Sequence, residues 1–156
     1  MDWDERIAAV WAADVTDDER ITLIDALAAE RPHGDAVALF ERAGARDSAG
    51  LEIEAEPLYR QALAAGLDED RRTQAVIQLA STLRNLGRVD ESLALLRPEY
   101  GKGTDAALHD ATAAFYALAL VTSGDPVGAA SVALQALAPH LPRYTRSVGA
   151  YARELA

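Results

Sequence analysis

Glycines at 50, 87 and 124 each interrupt a run of helix-forming residues, in DSAGLE, NLGR and TSGDPV. Their separations are equal, 87 − 50 = 37 and 124 − 87 = 37. Glycine just past a 3.6-periodic apolar run stops a helix, and an equal return at this length marks a chain of helix–turn–helix units. The clearest copy is residues 71–97, RRTQAVIQLASTLRNLGRVDESLALLR, with weaker copies on either side. Each such unit has an apolar face that it can bury only against its neighbours, so the pattern commits the chain to an all-α array of helix pairs. No stretch alternates with period two between turns, which excludes strands.

The punctuation places about nine helices. Asp2 and Glu5 have capping-box spacing before a helix over 3–13, and Thr16 with Glu19 forms a second box before a helix over 17–30. The second carries the stripe Ile21, Ile24, Leu27, Ala28 and ends at Arg31-Pro32-His33-Gly34. Asp35 caps a helix over 36–49, and a helix over 53–65 contains Pro57, tolerable only near its start. Helices follow over 69–86 and 90–97, where Pro98 is expected to end or kink the second. After the loop Gly101–Thr104 come helices over 105–123 and 126–138, the latter opened by Asp125-Pro126. Pro139 and Pro142 bracket a break before a last amphipathic helix over 143–155, with Tyr144, Val148, Tyr151 and Leu155 on one face. The chain thus reads as a single domain, 1–156. It comprises an N-terminal hairpin over 1–34, three repeats over 35–140 and a capping helix over 141–156.

Composition narrows the function. The chain has no cysteine, which excludes disulfides and thiolate chemistry and suits a reducing compartment. No basic segment followed by an apolar one opens the sequence, and the longest weakly polar run, 111–122, is too short to span a bilayer. These features predict a cytoplasmic protein without membrane contact. Net charge is −10, which disfavours nucleic acid. It is uneven: −7 over 1–35, −5 over 36–139 and +2 over 140–156. Arg and Ala richness matches high-GC bacterial coding.

In this register the copies can be set against the tetratricopeptide pattern W-x₂-L-G-x₂-Y…A-x₃-F…P. The central copy supplies Val76, Leu79-Ala80, Leu83, Gly87, Ser92 and Leu96. The first supplies Leu39, Ala43, Gly50, Ala55, Tyr59 and Ala62, and the third Tyr116-Ala117, Leu120, Gly124, Ala129 and Ala136. Small residues at Ala43/Ala55, Ala80/Ser92 and Ala117/Ala129 allow two helices to approach closely. Arg42 and Arg46 depart from the pattern, standing where Leu and Tyr are expected, and no copy has the final Pro. The chain resembles a divergent tetratricopeptide repeat protein. More narrowly, EAEPLYRQALAAGL followed by RRTQAVIQLASTLRNLGR resembles the small bacterial tetratricopeptide repeat group 5. The resemblance implies a right-handed α-solenoid of antiparallel helix pairs, and a non-enzymatic protein-binding scaffold with no catalytic residues and no cofactor.

In such arrays the first helix of each pair lines a concave groove. On the central one, Val76, Leu79, Ala80, Leu83 and Leu86 form the packed face, and Gln74, Gln78, Ser81 and Asn85 recur at i, i+4, i+7, i+11 opposite them. Uncharged amides and hydroxyls offer both donors and acceptors, which suits an extended peptide backbone. With Arg84, Phe40 and Asp47 alongside, this stripe is the candidate partner-binding site, its partner a protein or peptide of unknown identity. The alternative is an ordinary solvated helix face. Arg42 and Arg46 need a counter-charge, either local acids such as Asp47, Glu54 or Glu56, or, with Arg84, a small anion. The helix at 111–122 carries no charge; either the last helix covers its second side, or Leu118 and Val121 floor the groove or meet a second copy. A homodimer, with the basic last helix meeting the acidic first hairpin, is the structural alternative. His33, His109 and His140 lack the partners of a metal site, and Lys102-Gly103-Thr104 lacks the rest of a phosphate loop.

Overall fold

The structure is a computed structural model describing residues 1–106 and 108–156. Its described residues form nine α-helices and one 3₁₀ turn, without strands. They fall into two compact units, Met1–Thr82 and Leu83–Ala156. The first holds α1 (Trp3–Ala12), α2 (Asp17–Ala28), α3 (Ala36–Ser48), α4 (Glu52–Ala65) and most of α5 (Glu69–Asn85). The second holds the end of α5, then α6 (Val89–Tyr100), α7 (His109–Thr122), α8 (Pro126–Leu137), the 3₁₀ turn Ala138–His140 and α9 (Thr145–Glu154).

The three repeat glycines occupy equivalent bends. Gly50, Gly87 and Gly124 have φ of 72°, 79° and 91°. At each, the glycine amide donates to the carbonyl three residues back (Asp47, Arg84, Val121), at 3.0 Å every time. The next amide donates to the carbonyl five back: Leu51 to Arg46 at 2.9 Å, Arg88 to Leu83 at 2.8 Å and Asp125 to Leu120 at 2.9 Å. This pairing satisfies the last carbonyls of a helix and needs a left-handed residue, which glycine adopts without steric penalty. Helix starts are equally local. Asp2 with Glu5, and Thr16 with Glu19, each form the reciprocal capping box. Asp35 accepts from the Ala38 amide and Asp125 from that of Gly128.

In the first unit α1 packs on α2, α2 on α3 and α3 on α4. The core between them is built from Ile24, Ala43, Ala55, Tyr59 and Ala62, all without solvent exposure. Trp3 Nε1 donates to the Leu27 carbonyl at 2.9 Å, and Ile7, Ile24, Leu27 and Ala45 form the cluster under α1. The expected packed face of α5 is buried at Val76, Leu79, Ala80 and Leu83, joined by Ala75, Ile77 and Thr82. In the second unit α6 packs on α7, α7 on α8 and α8 on α9. All six small residues of the repeat register are buried.

Several boundaries differ from expectation. Helix α4 begins at Glu52, leaving Pro57 as its sixth residue. Helix α6 runs through Pro98 to Tyr100. Proline there removes one donor only, while buried Glu99, paired with Lys102 at 2.6 Å, and the Gly101 amide on the Arg97 carbonyl hold the final turn. Helix α7 starts at His109 rather than 105, because Gly103 and Ala106 close a turn across Asp105 and Leu108 is left-handed at φ 57°. Helix α9 packs through Gly149 and Ala152, and Tyr144, Tyr151 and Leu155 are exposed. It lies on α8, so Leu118 and Val121 of α7 are also exposed instead of covered.

A Cβ at Gly87 would meet nothing within 4 Å, so replacing it tests backbone conformation alone. Gly87→Ala should lower stability by about 1–2 kcal/mol in urea unfolding, and Gly87→Asn by less, because Asn tolerates the left-handed region.

Candidate partner-binding site

On α5 the stripe Gln74, Gln78, Ser81, Asn85 faces outward: Gln74 and Asn85 are exposed, Gln78 and Ser81 half-buried. Gln78 Oε1 is itself buried and accepts from no described residue. Within the first unit, Gln74 lines a cleft of about 410 Å³ between α1, α3 and the start of α5. Its walls are Ile7, Ala8 and Trp11 of α1, Phe40 and Glu41 of α3, and Arg71 of α5, with Asp4, Asp68 and Asp70 at the rim.

The cleft exists because α1 lies close to α3. Trp11 passes over Gly44, where a Cβ would sit 3.4 Å from the indole Cζ2. Its Nε1 donates to Glu41 Oε2 at 2.7 Å, and the Arg20 guanidinium lies 5.8 Å from the ring centroid. Burial pushes the Glu41 carboxyl above its ordinary range, opposed by the Trp11 hydrogen bond and the Arg71 charge and aided by Asp4. Arg71 bridges Asp68 and Asp4, each at 3.0 Å. Four acids against one arginine leave the cleft electronegative.

Two candidate residues turn inward. Phe40 is 7% exposed; its ring stands 6.3 Å from that of Tyr59, so it is mainly core and reaches the cleft as a wall. Asp47 is half-buried and accepts from Tyr59 Oη at 3.2 Å and Thr82 Oγ1 at 3.0 Å, tying α3 to α4 and α5. Burial raises the Asp47 carboxyl, against the pull of Thr82 and Tyr59, and burial together with Asp47 raises the Tyr59 phenol. In the second unit Arg84 Nη2 donates to Asn85 Oδ1 at 3.3 Å.

Arg42 and Arg46 are answered from α2. Arg42 Nε reaches Asp25 Oδ1 at 2.9 Å and Arg46 spans both oxygens at 3.0 and 2.7 Å, with Glu54 a further 3.5 Å partner. Neither Asp47 nor Glu56 is the counter-charge, which comes from the preceding hairpin, outside the repeat register. Burial works against the Asp25 charge, but hydrogen bonds from Arg46 and Arg42 outweigh it and hold this carboxyl below its ordinary range.

A family model described as Tetratrico peptide repeat (its group 5) matches residues 36–155. The chain belongs to the tetratricopeptide repeat family. Comparison with curated proteins and with solved structures gives no match. As a tetratricopeptide repeat protein it is a protein-interaction module. Among the described residues no helix is long and apolar enough to cross a membrane. Sequence reasoning missed Trp11 and Glu41. Glu41 was within reach, since 41 + 37 = 78 makes it the register equivalent of Gln78. Trp11 belongs to the hairpin outside the register, and only packing brings it to α3.

Two consequences are measurable. Asp47→Ala would leave the buried Tyr59 hydroxyl without its acceptor, while Thr82 Oγ1 keeps the Gln78 carbonyl at 3.0 Å, lowering stability by about 1–3 kcal/mol, whereas Tyr59→Phe should cost about 1 kcal/mol. Asp25 is about a third exposed, so Asp25→Asn should cost only about 1–2 kcal/mol near neutral pH. With its folded-state value depressed, that stability is present above 3.8 and lost as pH falls through the depressed value. Wild type and Asp25→Asn should therefore converge in stability in acid, read by urea unfolding across pH.

Proposed function

We propose that this tetratricopeptide repeat protein is a non-enzymatic scaffold that holds a segment of a partner protein along the outward faces of its first-of-pair helices. The observation that carries the reading is the cleft of the first unit, where Gln74 meets Trp11, Glu41 and Phe40. An extended segment offers backbone amides and carbonyls, and the side-chain amides of Gln74 and Gln78 can answer both. Gln78 Oε1 holds a buried acceptor without a donor, a costly state that a partner N–H would relieve on rotation of the side chain. Trp11 supplies a flat apolar wall, and the acidic rim favours segments bearing Lys or Arg. Ser81, Arg84 and Asn85 continue the stripe toward the end of α5. The hairpin over 1–34, the three repeats over 35–140 and the capping helix over 141–156 would belong to a single domain working in the cytoplasm.

In the register the same positions become Ala111, Phe115, Leu118 and Thr122 on α7, from 74 + 37 = 111 onward. Partner recognition in the second unit is accordingly apolar, through exposed Leu118 and Val121.

The test is affinity capture from the source cell, followed by mass spectrometry, with wild type and with Gln74→Ala/Gln78→Ala. Because both side chains face outward, the double variant should keep its stability and lose its specific captures by about tenfold or more. An unchanged set of captured proteins would remove the groove reading.

A further inference from the structure

Helix α8, PVGAASVALQAL, carries no ionisable side chain, yet Val127, Leu134 and Leu137 are exposed. Helix α9 packs beside it: Ser131 Oγ donates to the Ala152 carbonyl at 2.7 Å, and a Cβ at Gly149 would lie 3.8 Å from Ala138 Cβ. The chain reverses between the two helices, so they run antiparallel. At 3.6 residues per turn, Val127, Leu134 and Leu137 all lie to one side of this seam on α8, between about a tenth and a third of a turn from Ser131. Tyr151 and Leu155 lie about a quarter to a third of a turn from the seam on α9, and the antiparallel sense puts them on the same side. These five residues, 36–67% exposed, form one apolar face across two helices. Arg146 and Arg153 lie on the opposite flank of α9, and Arg153 folds back to within 3.5 Å of where a Gly149 Cβ would sit.

We infer that this α8–α9 face is the contact through which two copies of the chain pair about a two-fold axis. Three features select a second copy. First is size. With about 150–250 Å² for a whole aromatic side chain and somewhat less for Leu and Val, the exposed parts amount to on the order of 500 Å². That is in the upper part of the range of single patches that are often functional, and its size below the roughly 800 Å² per partner of a stable interface fits a concentration-dependent monomer–dimer equilibrium. Second is charge. Two molecules of net charge −10 repel, and α8 with the tyrosine side of α9 offers ground where no like charges meet. Third is self-complementarity. A two-fold contact sets a surface against itself, which an apolar face tolerates, and tyrosine hydroxyls, each donor and acceptor, can bond one another across the axis. The basic flank of α9, expected from sequence to meet an acidic hairpin, is left outside this contact.

The experiment is sedimentation equilibrium of the full chain from low to high micromolar concentration. Wild type should be a monomer–dimer system. Leu134→Glu and Tyr151→Glu, both at exposed positions, should weaken dimerisation by about tenfold or more with unchanged helical circular dichroism. Arg146→Glu on the opposite flank should leave it unchanged. The chain has no cysteine, so Ala130→Cys on this face should give an oxidised, disulfide-linked dimer that Arg146→Cys does not. A wild-type monomer throughout, a dimer indifferent to both face substitutions, or assembly that grows beyond two copies would each overturn the inference. These substitutions leave Gln74 and Gln78 untouched, so assembly and partner capture are read separately.

Discussion

The close approach of two helices at a pair of small residues is the constraint on which the rest of this molecule depends. Where Ala43 and Ala55 are both fully buried, α3 and α4 have no side-chain bulk to separate them, and the left-handed glycine turn reverses the chain within three residues. The buried Tyr59 follows from that closeness. Its ring fills the space beside Phe40, and its hydroxyl needs an acceptor, which Asp47 on the paired helix supplies. The same arrangement of small residues and glycine recurs thirty-seven residues later, and again after that. A periodic sequence therefore produces a periodic succession of turns, each closed by the same two hydrogen bonds.

Charge is spent differently inside and outside this frame. Asp25 answers Arg42 and Arg46 at positions where the repeat pattern would otherwise hold apolar side chains. The departure from the pattern is thus a link between the first hairpin and the first repeat. Around the cleft, by contrast, acids outnumber bases, and burial raises the Glu41 carboxyl above its ordinary range against the opposing pull of an indole N–H and a neighbouring arginine. Such a site is stable alone, yet it presents a field that a cationic segment would meet favourably.

The first and the last helices are held by different means. At the start, Trp3 and Arg6 tie α1 to the end of α2, and the hairpin is joined to the first repeat by the Trp11–Glu41 hydrogen bond and the Asp25 ion pairs. In the second unit α9 buries Gly149 and Ala152 fully and Val148 in part, and leaves Tyr151 outside. Amphipathicity alone suggested that Tyr144, Val148, Tyr151 and Leu155 would be the covered face. Small residues won because they let α9 sit closer to α8, where Ser131 hydrogen-bonds its backbone.

The sequence by itself determined much of what rests on neighbours along the chain: the caps at Asp2, Thr16, Asp35 and Asp125, the three equivalent glycine bends, the buried stripe of α5 and the outward stripe opposite it. These depend on hydrogen bonds and periodicity within one or two turns of helix, which composition encodes directly. Tertiary structure alone decided that Phe40 and Asp47 turn inward, that Asp25 neutralises two arginines, that Trp11 completes a cleft with Gln74, and that the aromatic side of α9 is bare. Each of these turns on which distant helix lies alongside, and the identity of that neighbour is settled by packing volume and desolvation summed over many side chains rather than by any local signal.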